Sequence, residues 1–330
     1  MKSHIVDAFE KRKSGGAVPV WELEFHAWDA AAGRHVVLGH EFEALTSAEQ
    51  ERALHENAEI MLSVAAEMGW AALTVPGGYW DEAPGKLAYF CLPEAARYRQ
   101  MEVLKKLAPD DLMLVASATG VLSANYYEEF CLRMFEEPES IDKQAEATLA
   151  GSLGIIRRFC DLGAGAVFTA SDIADNSGPF FNPAQMERWI YPFLRRWAES
   201  VHSLGMFAIL HSDGNLMPYL DRLASSGVDA IQAIDPVAGM DITEAMKLAA
   251  GRVCLCGNID CGLLLAGTPD QVFESTQRLL AACGSRGGFV LGASNAVQPE
   301  TPVLNYRAMI AACREFNGHA FYSPNLSSRE

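Results

Sequence analysis

The stretch FAILHSDG at residues 207–214 is a short apolar run that ends on two polar residues, His211 and Asp213, and a glycine. Three other runs in the second half of the chain end in the same way: GAVFTASDIAD at 165–175, CLCGNID at 254–260 and GFVLGASNAV at 288–297. In a parallel α/β barrel all strands point in one direction, so their carboxyl ends share one rim, where such barrels carry their active sites. The pattern therefore predicts an active site formed by polar residues at strand ends.

Eight strand-like runs set the predicted fold. They are PVWELEFH, AALTVPGG, LMLVASATG, GAVFTASD, FAILHSDG, AIQAIDP, CLCGNID and GFVLGASN. Helical patterns lie between them, one opening at Thr46 and ending at Gly69 and another opening at Asn182 and ending at Gly205. Alternating strands and helices predict right-handed crossovers and a parallel sheet, and eight units favour a closed (β/α)8 TIM barrel over an open sheet. We expect one barrel domain over residues 1–330.

The connection after the third strand is the longest, running from about residue 123 to residue 163 as two helical patterns broken near Pro138. A helical insertion of this length on a barrel builds either a wall over the active site or a contact between subunits. The sequence does not decide between these two roles. A homodimer is therefore one of the expected arrangements.

The composition restricts the partners of the chain. Of its 330 residues 50% are hydrophobic, the mean hydropathy is +0.05, and the formal net charge is -16 with a pI near 4.9. This charge repels phosphate backbones, so we expect no nucleic acid partner. The sequence shows neither an apolar leader nor a window of about eighteen apolar residues, which predicts a cytoplasmic protein without membrane contact.

Cysteine spacing offers one further possibility. The 8 cysteines include no CxxC pair, and several fall in apolar stretches, as expected of reduced thiols in a core. Cys254, Cys256 and Cys261 stand close enough in sequence for a metal site, with small buried side chains as the simpler interpretation.

The main candidate site centres on His211 and Asp213, which share one side of a strand because they lie two residues apart. An imidazole beside a carboxylate supports general acid/base chemistry or divalent metal binding, and a helix-capping role for Asp213 is the structural alternative. Asp172 ends the preceding strand, and Glu187 follows it in the next helix, either as a further oxygen ligand or on a solvated face. The predicted metal ligands are thus His211, Asp213, Asp172 and Glu187, with Asn258, Asp260 and Asn295 at the later strand ends.

The first strand carries Glu22, Glu24 and His26 in alternation, which places all three on one face of a regular strand. Three titratable groups are costly to bury on either face of a barrel strand. We therefore expect some of them to meet a ligand, a metal or one another.

Residues 211–318 carry the elements GNID, GTPDQV and QPETP in that order, and this stretch resembles the C-terminal half of the uroporphyrinogen decarboxylase superfamily. The superfamily also contains methyltransferases that serve corrinoid proteins. The resemblance implies a TIM barrel and one of these two chemistries.

Departures from the family pattern favour the methyltransferases. A decarboxylase of a tetrapyrrole with eight carboxylates is expected to carry arginines in a motif resembling RQAGRY, and this chain has VWELEFHAWD in the equivalent region. The zinc of thiol-activating methyltransferases is held by a His-x-Cys pair and a later Cys, and the matching positions here are His211, Asp213 and Asn295. The resemblance then implies transfer of a methyl group between a small, methoxylated substrate and a corrinoid protein, assisted by zinc or another divalent metal.

In that interpretation the metal acts as a Lewis acid on the ether oxygen. The resemblance implies substrate contacts from Glu24, His26 and Asp260 and an aromatic wall from Trp21, Trp28, Tyr79, Trp80 and Phe180. The corrinoid is supplied by a separate partner protein. Two alternatives stay open: a decarboxylase or lyase that uses His211 and Asp213 as proton donors without metal, and a non-catalytic barrel that binds a tetrapyrrole or corrinoid.

Overall fold

The structure is a computed structural model that describes residues 2–11, 17–77, 81–83, 86–124 and 127–318. Its strands are β1 (Ala72–Thr74), β2 (Asp81–Ala83), β3 (Lys86–Leu87), β4 (Met113–Ser117), β5 (Ala166–Ala170), β6 (Ala174–Asp175), β7 (Gly178–Pro179), β8 (Phe207–His211), β9 (Ala230–Gln232), β10 (Cys254–Ile259) and β11 (Phe289–Ala293). Its α-helices are α1 (Lys2–Phe9), α2 (Trp28–Ala32), α3 (Gly39–Glu43), α4 (Ser47–Met68), α5 (Glu94–Leu107), α6 (Tyr127–Glu136), α7 (Pro138–Asp161), α8 (Pro183–Gln185), α9 (Tyr191–His202), α10 (Leu220–Leu223), α11 (Ile242–Ala249), α12 (Cys261–Ala266), α13 (Pro269–Cys283) and α14 (Val303–Phe316). A π-helical turn (Met186–Ile190) joins α8 to α9, and a 3-10 turn (Met217–Tyr219) precedes α10.

The main sheet has seven parallel strands in the order β1-β4-β5-β8-β9-β10-β11, and two short antiparallel pairs, β2 with β3 and β6 with β7, lie outside it. Each neighbour in the main sheet follows the last along the chain, with helices in the connections, so the sheet curls as in a TIM barrel. The expected helix limits are present, with a capping box at Thr46 and Glu49 and a left-handed Gly69 at the end of α4. Asn182 likewise caps α8.

Residues 19–26 do not form the regular strand that the sequence predicts. Val20 forms an isolated bridge with Leu291, Phe25 forms another with Val297, and Leu23 lies at a bend between them. The backbone NH of Ala71, next to β1, also donates to Val20 O. This segment therefore hydrogen-bonds at both edges of the seven-stranded sheet without continuous pairing.

The strands bury side chains on both of their faces, as parallel strands in barrels do. One cluster contains Met113, Phe168, Ile209, Cys254 and Cys256, and a second, larger cluster packs the alternate strand residues against the helices. Cys254 and Cys256 are therefore small side chains of the first cluster. Cys261 instead faces Ser294, with its Sγ 3.6 Å from Ser294 Oγ.

The connection after β4 holds α6 and α7, which are separated at Pro138 because proline suits the first position of a helix. Helix α7 is joined to the following helical segment by two bidentate ion pairs, Arg188 with Asp142 and Arg196 with Glu146. None of the helices in the described ranges combines the length and the apolar composition needed to cross a membrane.

Candidate active site

Three side chains at the carboxyl ends of β5 and β8 form a group of possible metal ligands. Nε2 of His211 lies 3.8 Å from Asp213 Oδ1 and 4.0 Å from Asp172 Oδ1. One ligand atom from each residue falls within 4.8 Å of the other two, and no other such group occurs among the residues that the structure describes. The order of strands in the sheet thus brings together Asp172, from one strand end, with His211 and Asp213, from the next.

Gln232 on β9 sets the orientation of His211. The Nδ1 atom of His211 lies 2.5 Å from Oε1 of Gln232. Because an amide oxygen only accepts, Nδ1 carries a proton and donates it to this hydrogen bond, and Nε2 faces the two carboxylates. Gln232 is not among the predicted site residues, although a glutamine within the apolar run AIQAI is a signal for a buried polar role.

The two carboxylates are held by neighbouring donors. Asn295 Nδ2 donates to Asp213 Oδ2 at 2.9 Å, and the backbone NH of Asp213 donates to Asp172 Oδ1 at 2.9 Å. Asp213 Oδ1 is buried without a hydrogen-bond partner. Burial raises the pKa of Asp213, His211 and the Asn295 hydrogen bond oppose that rise, and the charge of Asp172 adds to it.

This donor set fits a divalent cation. A buried carboxylate oxygen without a partner is costly unless a positive charge or a donor satisfies it. One imidazole nitrogen and carboxylate oxygens are ligands that zinc and similar divalent metals accept. Asp213 Oδ1 and His211 Nε2 are the two atoms that a bound cation would satisfy.

The group faces a cavity of about 310 Å³, which we call the metal-site cavity. Its lining consists of Glu24, His26, Tyr89, Phe90, Ser123, Ala170, Asp172, His211, Asp213, Asn295, Ala296 and Gln298. Lysine and arginine are absent from this lining within the described part of the chain. The cavity therefore presents three carboxylates and two aromatic rings to its contents.

Glu24 and His26 lie in the lining of the metal-site cavity and contact each other, with His26 Nε2 3.1 Å from Glu24 Oε2. The His26 ring packs 4.5 Å from the ring centroid of Phe90 and 5.5 Å from that of Tyr89. The sequence analysis singled out Glu24 and His26 but not these two aromatic residues. The sequence at residues 88–92 shows no strand or helix pattern that would place Tyr89 and Phe90 at the rim.

Glu22 does not share a face with Glu24 and His26, contrary to the expectation from alternation. The bend at Leu23 directs Glu22 into the helix layer, where it accepts hydrogen bonds from the backbone NH of Ala293 and from Tyr306 Oη at 2.9 Å. Burial raises the pKa of Glu22 to about 8, against the effect of these two hydrogen bonds. Glu22 is therefore a structural residue in this fold.

Two of the predicted aromatic wall residues lie in the core instead. Trp28 is buried edge-on against Phe25 and Trp70, and Trp21 donates from Nε1 to Thr74 Oγ1. Full burial in the core stabilises a large aromatic ring more than a position at a half-open rim does. Phe180 lines a groove that Asp172 and Asp213 also line. Tyr79 and Trp80 lie outside the described residues.

Three predicted polar site residues are engaged elsewhere. Glu187 is exposed and pairs with Arg222, so the solvated-face interpretation holds and its expected metal role does not fit. Asn258 donates to Ile234 O at 2.7 Å, and Asp260 caps α12 by accepting from the backbone NH of Gly262. These contacts satisfy a backbone carbonyl in the loop after β9 and a backbone NH in the first turn of α12, which is a common use of short polar side chains.

A sequence profile described as Uroporphyrinogen decarboxylase (URO-D) matches residues 108–316, more than half of the chain. The chain belongs to the uroporphyrinogen decarboxylase family. The resemblance noted from GNID, GTPDQV and QPETP is thereby confirmed.

Curated relatives are distant. The uroporphyrinogen decarboxylase of Anaeromyxobacter dehalogenans is 32% identical over 131 residues, 40% of this chain and 36% of that protein. That of Syntrophotalea carbinolica is 23% identical over 176 residues, 52% of this chain and 48% of that protein. The chain thus spans less than half the length of these relatives.

Among solved structures, a methyltransferase from Methanosarcina mazei superposes with a TM-score of 0.73 at 16% identity, covering 96% of this chain and 98% of that one. The two proteins share a fold over nearly their full lengths.

Proposed function

We propose that this protein transfers a methyl group between a small, methoxylated donor and a corrinoid carried by a partner protein, with zinc or another divalent metal held by Asp172, His211 and Asp213. The observation that carries the proposal is the position of His211 Nε2 beside two carboxylates, one of which has a buried oxygen without a hydrogen bond. Without a metal, the buried carboxylate oxygen would have no partner to offset the free-energy cost of its burial.

The residues of the chain would prepare the donor for transfer. Gln232 and Asn295 fix the orientations of His211 and Asp213 through hydrogen bonds of 2.5 Å and 2.9 Å. Tyr89 and Phe90 offer an apolar surface against which an aromatic donor packs. A metal held here would supply Lewis acidity at the ether oxygen and so improve the leaving group.

The charge of the metal-site cavity favours this reaction over decarboxylation of a tetrapyrrole. Glu24, Asp172 and Asp213 line it, and its described lining has no arginine to hold a polycarboxylate. A substrate with many carboxylates would be repelled by these groups. The methyltransferase fold shared over nearly the whole chain is compatible with the proposal.

For the architecture, we propose that residues 19–26 act as the eighth part of one closed barrel domain and that α6 and α7, after β4, form its long helical insertion. Hydrogen bonds from this segment to Leu291 and Ala71, at opposite edges of the sheet, support closure.

His211→Ala tests the function. We expect the variant to lose most of its bound metal and its methyl transfer to a reduced corrinoid protein while the fold persists, because rim ligands contribute chiefly to the site. Metal analysis, a panel of methoxyaromatic donors and a melting curve measure the three quantities. His202→Ala is the matched control, since His202 pairs with Asp229 outside the cavity lining.

Two other outcomes would contradict the metal role. Unchanged metal with activity lower by a factor of about 10²–10⁴ would indicate general acid/base catalysis, as in the decarboxylase alternative. Normal metal and activity with stability lower by about 1 kcal/mol would indicate a structural residue.

A further inference from the structure

A second cavity, of about 300 Å³, lies beside the metal-site cavity. We call it the α6–α7 cavity, because Glu129, Phe130 and Arg133 of α6 and Gln144 and Thr148 of α7 line it, together with Thr119, Val121, Leu122, Ser123 and Ala170. Ser123 and Ala170 line both cavities. The helices after β4 thus form the wall of a pocket at the same rim as the metal ligands.

Two residues that line the α6–α7 cavity each carry a buried polar atom without a hydrogen-bond partner. The two atoms are Thr119 Oγ1 and Gln144 Oε1, which come from the loop after β4 and from α7. Buried polar atoms without partners are rare in native proteins, and each one calls for a ligand or a water molecule. Both atoms can accept a hydrogen bond from a hydroxyl group.

The charges of the α6–α7 cavity favour a neutral ligand group. Arg133 is half-buried and donates from Nε and Nη2 to Ser140 Oγ at 3.3 Å and 3.2 Å, while Glu129 is exposed. The lining holds one carboxylate, Glu129, and one guanidinium, Arg133, so their formal charges cancel and give neither an anion nor a cation a net attraction. A neutral hydroxyl can donate to one of the orphaned oxygens and accept from another group of the lining.

The two cavities share the side chains of Ser123 and Ala170 in their linings. Ala170, the last residue of β5, contributes only a methyl group, and Ser123 Oγ accepts from the backbone NH of Asp172 at 3.1 Å. A molecule with its methyl ether at the metal ligands can therefore extend past Ala170 toward Thr119 and Gln144.

We infer that the α6–α7 cavity binds a neutral hydroxyl group at the far end of the methyl donor, with Thr119 and Gln144 as its hydrogen-bonding partners. The inference rests on the proposed function, since it takes the donor to occupy the metal-site cavity. It makes α6 and α7 determinants of donor specificity.

Calorimetric binding of matched ligands to the full chain tests the inference. The probes are 4-methoxyphenyl alcohols with one, two or three carbons between ring and hydroxyl, each paired with the analogue that has methyl in place of hydroxyl. An apolar or purely steric pocket would favour the methyl analogue by about fourfold, because it buries one more apolar group. We expect the alcohol to bind about tenfold more tightly for at least one chain length.

Thr119→Val and Gln144→Leu should each reduce this preference by a factor of about 3–10, without weakening the binding of the methyl analogue. Thr276→Val is the matched control, because it makes the same exchange in α13, outside both linings. Gln144→Leu should melt at the same or a higher temperature, since it removes a buried polar atom that has no partner.

Three results would overturn the inference. The first is equal or tighter binding of the methyl analogue at every chain length. The second is an alcohol preference that stays unchanged in both variants, and the third is an equal loss of affinity for the alcohol and its methyl analogue in a variant. The first result would mean that the α6–α7 cavity holds only water. Binding is measured without corrinoid protein, so alcohol preference without methyl transfer overturns the proposed function alone. Methyl transfer without that preference overturns the inference alone.

Discussion

The ring of His211 lies between β9 and the two carboxylates. A side chain on β9 therefore decides which ring nitrogen of His211 faces the carboxylates. Gln232 lies directly opposite His211 in the parallel pairing of β8 and β9. Its amide oxygen accepts a hydrogen bond from Nδ1 at 2.5 Å, and this leaves Nε2 as the ligand atom. The candidate metal site therefore depends on a residue that touches no metal ligand atom.

Gln232→Leu should lower metal affinity by about 10–100-fold, because His211 loses the partner that fixes its tautomer and ring orientation. Gln232→Glu keeps an acceptor at the same position and should retain most of the affinity. Competition titration with a metal chelator measures both values. Equal affinities in the leucine variant and the unaltered protein would show that Gln232 does not position His211.

At the scale of elements, the loop after β8 lies directly against the β6–β7 hairpin. Gly214 has φ +88°, and a Cβ at this position would lie 2.5 Å from the carbonyl carbon of Ala174 and 2.6 Å from the backbone nitrogen of Asp175. The backbone NH of Asn215 donates to Asp175 O in the same contact. This close approach holds Asp213 beside Asp172, since both residues adjoin the contact.

Gly214→Ala should destabilise the protein by about 2–4 kcal/mol and reduce metal binding, because the added methyl group meets backbone atoms that cannot rotate away. Gly205→Ala is the control: Gly205 has φ +76° but open space around its Cβ position, so only the left-handed conformation costs about 1 kcal/mol. Denaturant unfolding and metal analysis compare the two variants. Similar losses in both would argue against the close packing of the loop on the hairpin.

Across the whole molecule, contacts between the two ends of the chain join the edges of the sheet. Glu22 bonds to Ala293 in β11 and to Tyr306 in α14, and Trp70 Nε1 donates to Tyr306 Oη at 2.9 Å. Asn317 also bonds to Val18, accepting at 2.7 Å from its backbone NH and donating at 3.0 Å to its carbonyl. The segment around Val18 and Glu22 is therefore fixed by β11, by α14 and by Asn317, which follows α14.

Stability should fall with rising pH because of Glu22. Its pKa is about 8 in the folded protein against an ordinary value of 4.5, so the folded state keeps a proton that the unfolded chain releases. The stability that the folded state derives from keeping Glu22 protonated is fully present below about pH 4.5 and is lost as the pH rises toward 8. Glu22→Gln should match the unaltered protein near pH 5 and exceed its free energy of unfolding near pH 8.

Urea unfolding at both pH values measures this difference, and Glu244→Gln serves as an exposed control beside Lys247. Parallel pH profiles for the Glu22 variant and the unaltered protein would contradict the buried, protonated state.

The sequence by itself determined the features that depend on short-range patterns. Apolar runs, caps such as Thr46 and stops such as Gly69 are read within a few residues, so the alternation of strands and helices follows from them. Because parallel strands end at one rim, the same patterns predicted that a set of polar residues would lie close together: Asp172, His211, Asp213, Asn258 and Asn295. The structure places four of them in the lining of the metal-site cavity, whereas Asn258 bonds to Ile234 O instead.

Only the tertiary structure decided the contacts set by register, bends and close packing. The bend at Leu23 separates Glu22 from Glu24, although strict alternation places them on one face. Glu187 lies on the outer surface because its helix turns that side chain toward Arg222. Gln232 reaches His211 across 21 residues of sequence through strand pairing. These outcomes depend on which residues pack between the elements, and the free energy of that packing is shared among distant parts of the chain.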